Sequence, residues 1–164
     1  MIDDFDQKLV LELQKNGRRS YVDLAKTMGV TEGTVRKRIK NLMERDVLDI
    51  AAVPHLNKLG YNFIGIVGLQ VQLSELRQVA RQLAENPNVC YLVNVTGRYE
   101  FIAVVVARSS KEFADFMENV VSAIPSVLRT ETFVTLNTYK GKEFGLDTVQ
   151  LINSLDANQP KSAP

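Results

Sequence analysis

The chain is 164 residues long, 45% hydrophobic and 24% charged, with a formal net charge of +1. That length builds one large domain or two small ones with a core in either case, and the near-balance of charge excludes a polycation, so a nucleic-acid site must come from local clustering. Cys90 and His55 are the only residues of their kinds, which excludes an intrachain disulfide and a metal site built from His and Cys, and leaves Ser-His or Cys-His catalysis hanging on one imidazole in an expected linker.

Asp3 or Asp4 is placed to cap a first helix, in which Phe5, Leu9, Val10 and Leu13 recur at helical spacing before Asn16-Gly17 ends it. Arg18 and Arg19 follow, either as partners of that helix's dipole or as phosphate contacts. Ser20-x-x-Asp23 resembles a capping box with Asp in place of Glu, and places the start of a second helix. Leu24 and Met28 form an apolar i, i+4 pair ending at Gly29, which takes a left-handed conformation without steric penalty. Thr31 then offers a hydroxyl cap to a third helix, whose apolar stripe is Val35, Ile39 and Leu42. Opposite the stripe lie Gly33, Thr34, Lys37, Lys40 and Asn41, with Arg36 and Arg38 on its flanks.

Ala25, Gly29 and Val35 stand at the spacing of a DNA-binding helix-turn-helix, so the third helix is the candidate recognition helix. The plainer alternative is a solvated basic face, which the dipole favours only toward a helix C-terminus, whereas Arg36, Lys37 and Arg38 come early. On the DNA reading, Thr31, Glu32, Gly33, Thr34, Arg36, Lys37 and Arg38 reach base edges at the helix N-terminal end, while Arg18, Arg19 and Lys40 contact phosphates of double-stranded DNA.

After Arg45 the pattern becomes extended. Residues 47–53 are expected as a strand leaving a winged-type helix-turn-helix domain of residues 1–53, and residues 54–60 as a linker. Residues 61–140 alternate strand and helix: Phe63 to Leu73, a helix from Glu75 to Glu85 capped by Ser74, Val89 to Thr96, Phe101 to Ala107, a helix from Ser109 or Ser110 to Ala123, and Val127 to Leu136. This order is the ferredoxin-like βαββαβ arrangement of an α+β protein. Phe101 to Ala107 is apolar without alternation and Ile64 to Leu69 nearly so, as in strands buried on both faces. Helices cover one face, so a second subunit is expected on the other, the alternative being an open sheet that tolerates exposed valines. Residues 141–164 are expected to hold a short helix around Val149 to Leu155 and a partly disordered tail.

No run of about 18 apolar residues appears, and Asp3, Asp4 and Asp6 stand where a leader would be basic and then apolar, so a cytoplasmic protein without membrane association is expected. The loop Gly97 to Glu100 reads in two ways. It is a plain hairpin turn, or a ligand site in which Gly97 lets a ligand approach the backbone, Tyr99 walls a pocket and Glu100 receives an ammonium.

The run from Asp3 to Leu13, LAKTMGVTEGTVRKRIKNLMERDVL from Leu24 to Leu48, and VTGRYEF from Val95 to Phe101 together resemble the Lrp/AsnC family of feast/famine transcriptional regulators. Asp46 departs from the Gly usual there, and Glu100 from the usual Asp. The resemblance implies a homodimer assembling to a tetramer, octamer or larger, binding pseudo-palindromic promoter DNA, with an amino acid or related small molecule bound between dimers. It carries over Gly97, Tyr99 and Glu100 as ligand-binding residues, with Thr132 and Thr135 on the last strand. It implies no enzyme activity, no cofactor and no metal. Two rivals stand beside it. One is a small-molecule sensor or adaptor that does not bind DNA specifically; the other is an enzyme on the two-domain plan of haem-precursor decarboxylases, which the absence of any histidine after His55 disfavours.

Overall fold

A computed structural model describes residues 2–139 of the chain. The expected helix near Val149 to Leu155 and the tail beyond it lie outside the described residues. The chain divides into two compact units between Ala52 and Val53.

The first unit is helical: α1 (Asp4–Lys15), α2 (Tyr21–Met28) and α3 (Glu32–Glu44). Each start has the expected side-chain cap, from Asp3, Ser20 and Thr31 in turn, and α2 stops at Gly29 with φ +68°. The apolar stripes of the helices converge in one core of Leu9, Leu13, Leu24, Ala25, Val35, Ile39 and Leu42. Full burial of such Leu, Ile and Val side chains contributes about 1.5–3 kcal/mol each, so the core holds α3 from behind.

Residues 47–53 correct the expectation of a strand, for none forms there. A strand needs a neighbour to pair with, and Val47 and Leu48 instead pack against the helical core. The helical unit therefore has no wing among the described residues.

The second unit contains β1 (Phe63–Val71), α4 (Leu76–Ala84), β2 (Val89–Asn94), β3 (Phe101–Ala107), α5 (Ser110–Phe116) and β4 (Val127–Val134). Its antiparallel sheet has the order β2-β3-β1-β4, the ferredoxin-like arrangement. The two helices pack on one face over Val67, Leu69, Val71, Phe101, Ala103 and Val105. On the other face Val106 is covered by Leu56, Tyr61 and Cys90, whereas Ile66, Tyr91 and Phe133 remain exposed.

Two local expectations change. Ser74 caps nothing: residues 73–75 form a 3-10 turn that runs directly into α4, and Glu75 stands at the cap position without a side-chain bond. The helix after Ser109 is α-helical only to Phe116, then widens into a π turn over Met117–Val121. Its buried residues Phe116 and Val121 are five apart, a spacing the i→i+5 turn places on one side where an α-helix would not.

Candidate nucleic-acid interface and effector loop

With Val35, Ile39 and Leu42 inward, the 100° step of an α-helix sends Gly33, Lys37, Lys40 and Glu44 directly outward, and all four are exposed. Thr31 and Thr34 close the N-terminal end: the Thr31 hydroxyl accepts from the Thr34 amide at 3.2 Å, and the two hydroxyls lie 2.9 Å apart. Arg36 donates to Glu32 at 2.5 Å, and its guanidinium lies 5.0 Å from the centre of the Tyr21 ring. Lys40 pairs with Glu44 at 3.6 Å. Lys37 has no ion-pair partner among the described residues. Arg18 is also exposed, at the corner before α2, its backbone amide held by Asn16 at 2.9 Å.

Two of the expected DNA contacts have partners on other segments of the helical unit. Arg19 donates to Glu12 of α1 and to the Thr27 hydroxyl of α2 at 2.6 Å, tying those helices together. Lys15 and then Arg19 hold the Glu12 carboxyl below the usual range. Arg38 donates to Asp3 at 2.8 Å and to the two oxygens of Asp6 at 3.2 and 3.3 Å. Asp3 is held below the usual carboxylate range by the Asp6 backbone amide first, and by Arg38. Neither pairing was visible in the sequence, because the partners lie 7 to 35 positions away.

The loop between β2 and β3 is topologically a hairpin connection, as the plainer reading had it, but it is pinned by neighbouring strands. Gly97 has φ +122°, a region side chains rarely adopt. Gln70 of β1 donates to the Arg98 carbonyl at 2.7 Å, and Asn94 of β2 to the Glu100 carbonyl at 2.7 Å. Beyond Phe101 the β1–β3 ladder has ended, and one Glu100 carboxylate oxygen accepts the Val71 amide at 2.8 Å. Tyr99 lies over Gly68, where an added Cβ would stand 2.8 Å from its ring. Arg98 is 3.9 Å from Glu131 of β4 and 5.9 Å from the Tyr99 ring centre.

Thr132 and Thr135 are not brought to this loop within one chain. Thr132 pairs with Val67, on the face that carries the helices, and Thr135 bonds to Ile64 near the far end of β1. Five residues of extended strand, about 17 Å, separate Ile64 from Leu69 at the loop end. The loop's β4 neighbour is Glu131 instead, which sequence reading missed together with Gln70, Asn94 and Tyr21. Gly68 inside an apolar run was the one available signal, since glycine in a strand marks a close approach.

Residues 2–43 match the AsnC-type helix-turn-helix domain, and residues 64–143 match the Lrp/AsnC ligand binding domain. An uncharacterised HTH-type transcriptional regulator of Pyrococcus furiosus is 31% identical, over 85% of this chain and 95% of that protein. The chain belongs to the Lrp/AsnC family. It is a helix-turn-helix transcriptional regulator with that family's ligand-binding domain, and not an enzyme. The HTH-type transcriptional regulator FL11 of the same organism is 30% identical over 85% of this chain and 93% of its own length. Escherichia coli AsnC shares the fold with a TM-score of 0.80 at 22% identity, covering 88% of this chain and 99% of its own. A Neisseria meningitidis transcriptional regulator, solved as a complex with L-Met, has a TM-score of 0.80 at 18% identity, covering 92% and 99%. In Lrp/AsnC terms, α1, α2 and α3 as far as Met43 fall within the helix-turn-helix match, and the pinned loop falls within the ligand-binding domain. No helix among the described residues is long and apolar enough to cross a membrane.

Proposed function

We propose that α3 reads promoter DNA in the major groove, and that an amino acid or related small molecule bound at the Gly97 to Glu100 loop changes how copies of the chain assemble and hold that DNA. The observation that carries the DNA reading is the outward line of Gly33, Lys37 and Lys40 on a helix whose other side is fully buried. Arg36, Lys37 and Thr34 read base edges, with Glu32 and Thr31 at the same end, and Lys40 and Arg18 reach phosphates. Arg19 and Arg38 leave the contact set because α1 and α2 already hold them.

At the loop, Arg98 offers a cation to an effector carboxylate, and Glu100 keeps one oxygen for an ammonium while the other holds Val71. Tyr99 closes the side of the site over Gly68. The L-Met complex of the Neisseria regulator supports an amino acid as the ligand class. Thr132 and Thr135 enter this site only as residues of another copy. The chain works as a homodimer assembling to a tetramer, octamer or larger, through the uncovered sheet face, in the cytoplasm where promoter DNA is found.

Selection of duplexes from a random library, repeated at rising salt, tests the first half. A recurrent pseudo-palindrome bound with a steep salt dependence is expected, and no enrichment over non-specific binding would leave a sensor or adaptor in its place. Light scattering with each of the twenty amino acids tests the second. A mass change with one or a few of them is expected, and none with any would remove amino acids as the effector class.

A further inference from the structure

By its position in the chain Arg38 stands beside Arg36 and Lys37 as a cation of the DNA-facing helix, yet its partners come from a different helix. Its Nη1 donates to Asp3 at 2.8 Å and to both oxygens of Asp6 at 3.2 and 3.3 Å, and its guanidinium lies 5.5 Å from the centre of the Phe5 ring. Asp6 is only 3% exposed, the one charged residue buried among those described. A buried carboxylate is costly without its cation, so this partner is not readily given up to a passing phosphate. The same two aspartates close the start of α1: Asp3 accepts the Asp6 amide at 2.8 Å, and Asp6 accepts the Asp3 amide at 3.4 Å. The first turn of α1 and the middle of α3 are thus one hydrogen-bonded unit.

We infer that Arg38 is a positioning residue for DNA reading that locks the middle of α3 onto Asp3 and Asp6 and does not itself touch DNA. This rests on the assignment of α3 as the reading helix. Removing Arg38 loosens α3 from the start of α1, so every duplex suffers alike. A phosphate contact would behave differently, because its loss flattens the salt dependence, and a base contact would relax preference at one base pair.

The test uses the full chain, the selected duplex and single-base variants of it, and anisotropy titrations at several salt concentrations, for Arg38→Gln, Arg38→Lys, Asp3→Asn with Asp6→Asn, and all three positions changed together with Gln at 38. Asparagine keeps the cap of α1. Arg38→Gln should weaken all duplexes by about tenfold with the salt slope and base preference unchanged, and Arg38→Lys should retain most of the affinity. The triple variant should recover most of the loss, since the charges needing Arg38 are gone. A flattened salt slope, relaxed preference at one base pair, wild-type binding by Arg38→Gln, or no recovery in the triple variant would each overturn the inference. If the wild-type chain selects no duplex, the DNA reading itself has failed. The lock is then judged by thermal unfolding of the same variants, where non-additive losses support it and additive ones overturn it.

Discussion

Asp46 follows the last residues of α3 with φ +53°, the one non-glycine residue at positive φ among those described. Its amide bonds to the Met43 carbonyl at 3.1 Å and the next amide, of Val47, to the Leu42 carbonyl at 2.9 Å. These are the two bonds of a Schellman motif, with Val47 packed on the helical core as its apolar contact. The family's usual Gly is therefore replaced without loss of the helix-end geometry, at the cost of placing a Cβ in the left-handed region. Asp46→Gly should stabilise the helical unit by about 0.5–1 kcal/mol, since the native conformation is one glycine adopts freely. An unchanged or lower thermal midpoint would mean that the aspartate side chain compensates the strain. Gly65 presents the opposite case, for a Cβ there would stand 2.5 Å from the buried Phe113 ring, itself 4.8 Å from Phe63. Gly65→Ala should cost about 1–3 kcal/mol by overpacking, read as a lowered unfolding midpoint of the sheet unit. At this scale the caps from Asp3, Ser20, Thr31 and Ser109 were legible because a cap is a local bond. The roles of Arg19, Arg38 and Gly65 were not, since their partners come from distant segments.

Among elements, α3 combines a cationic outer line with an acidic residue at its first position. Glu32 holds Arg36 over Tyr21 and places a negative charge at the end of α3 proposed to meet base edges. Glu32→Gln should raise affinity for unrelated duplexes severalfold and steepen the salt dependence, narrowing the gap between operator and random DNA, as expected when a repulsive charge goes and a bound cation is freed. Equal gains for operator and random sequences would instead make Glu32 a mere electrostatic weight. The packing of α1 against its neighbours carries a pH dependence of definite sign. Asp3 and Glu12 both have lowered folded-state pKa values, so their contribution is complete above the ordinary carboxylate range and is lost as pH falls through the folded values. The helical unit should lose stability on acidification below about pH 4, and Asp3→Asn should flatten that loss in a circular-dichroism titration. The types of α1 to α5 and β1 to β4 were readable from the apolar pattern. The π turn after Phe116 and the missing strand at 47–53 were not, because both depend on what the rest of the fold offers for packing or pairing.

At the scale of the whole molecule, the apolar runs of β1 and β3 ask for more cover than one chain supplies. The helices bury the face of Val67, Leu69, Ala103 and Val105, and Leu56, Tyr61 and Cys90 cover Val106 at one end of the opposite face. Over the rest of that face Ile66, Tyr91 and Phe133 stay exposed, with Ile102 and Val104 half-buried between them. The register puts Phe133 beside Ile66, and Ile66 beside Val104, so these side chains form one patch across three strands. A patch of this kind marks an association surface, and one that is its own partner closes by two-fold symmetry. Both sheet faces were legible as apolar from the sequence, whereas the cover of one end by residues 56–61 needed the fold. If the patch joins two copies, a carboxylate at its centre must be desolvated in the dimer without a partner, which is far costlier than its exposure on a monomer. Ile66→Glu should therefore halve the mass seen by light scattering at micromolar concentration, or reduce it further from a larger assembly, with the helical content unchanged. Because paired half-sites require paired helix-turn-helix units, the same variant should bind a single half-site as the wild type does and lose its preference for the full pseudo-palindrome. Retention of full mass by Ile66→Glu would move the association surface off the open sheet face.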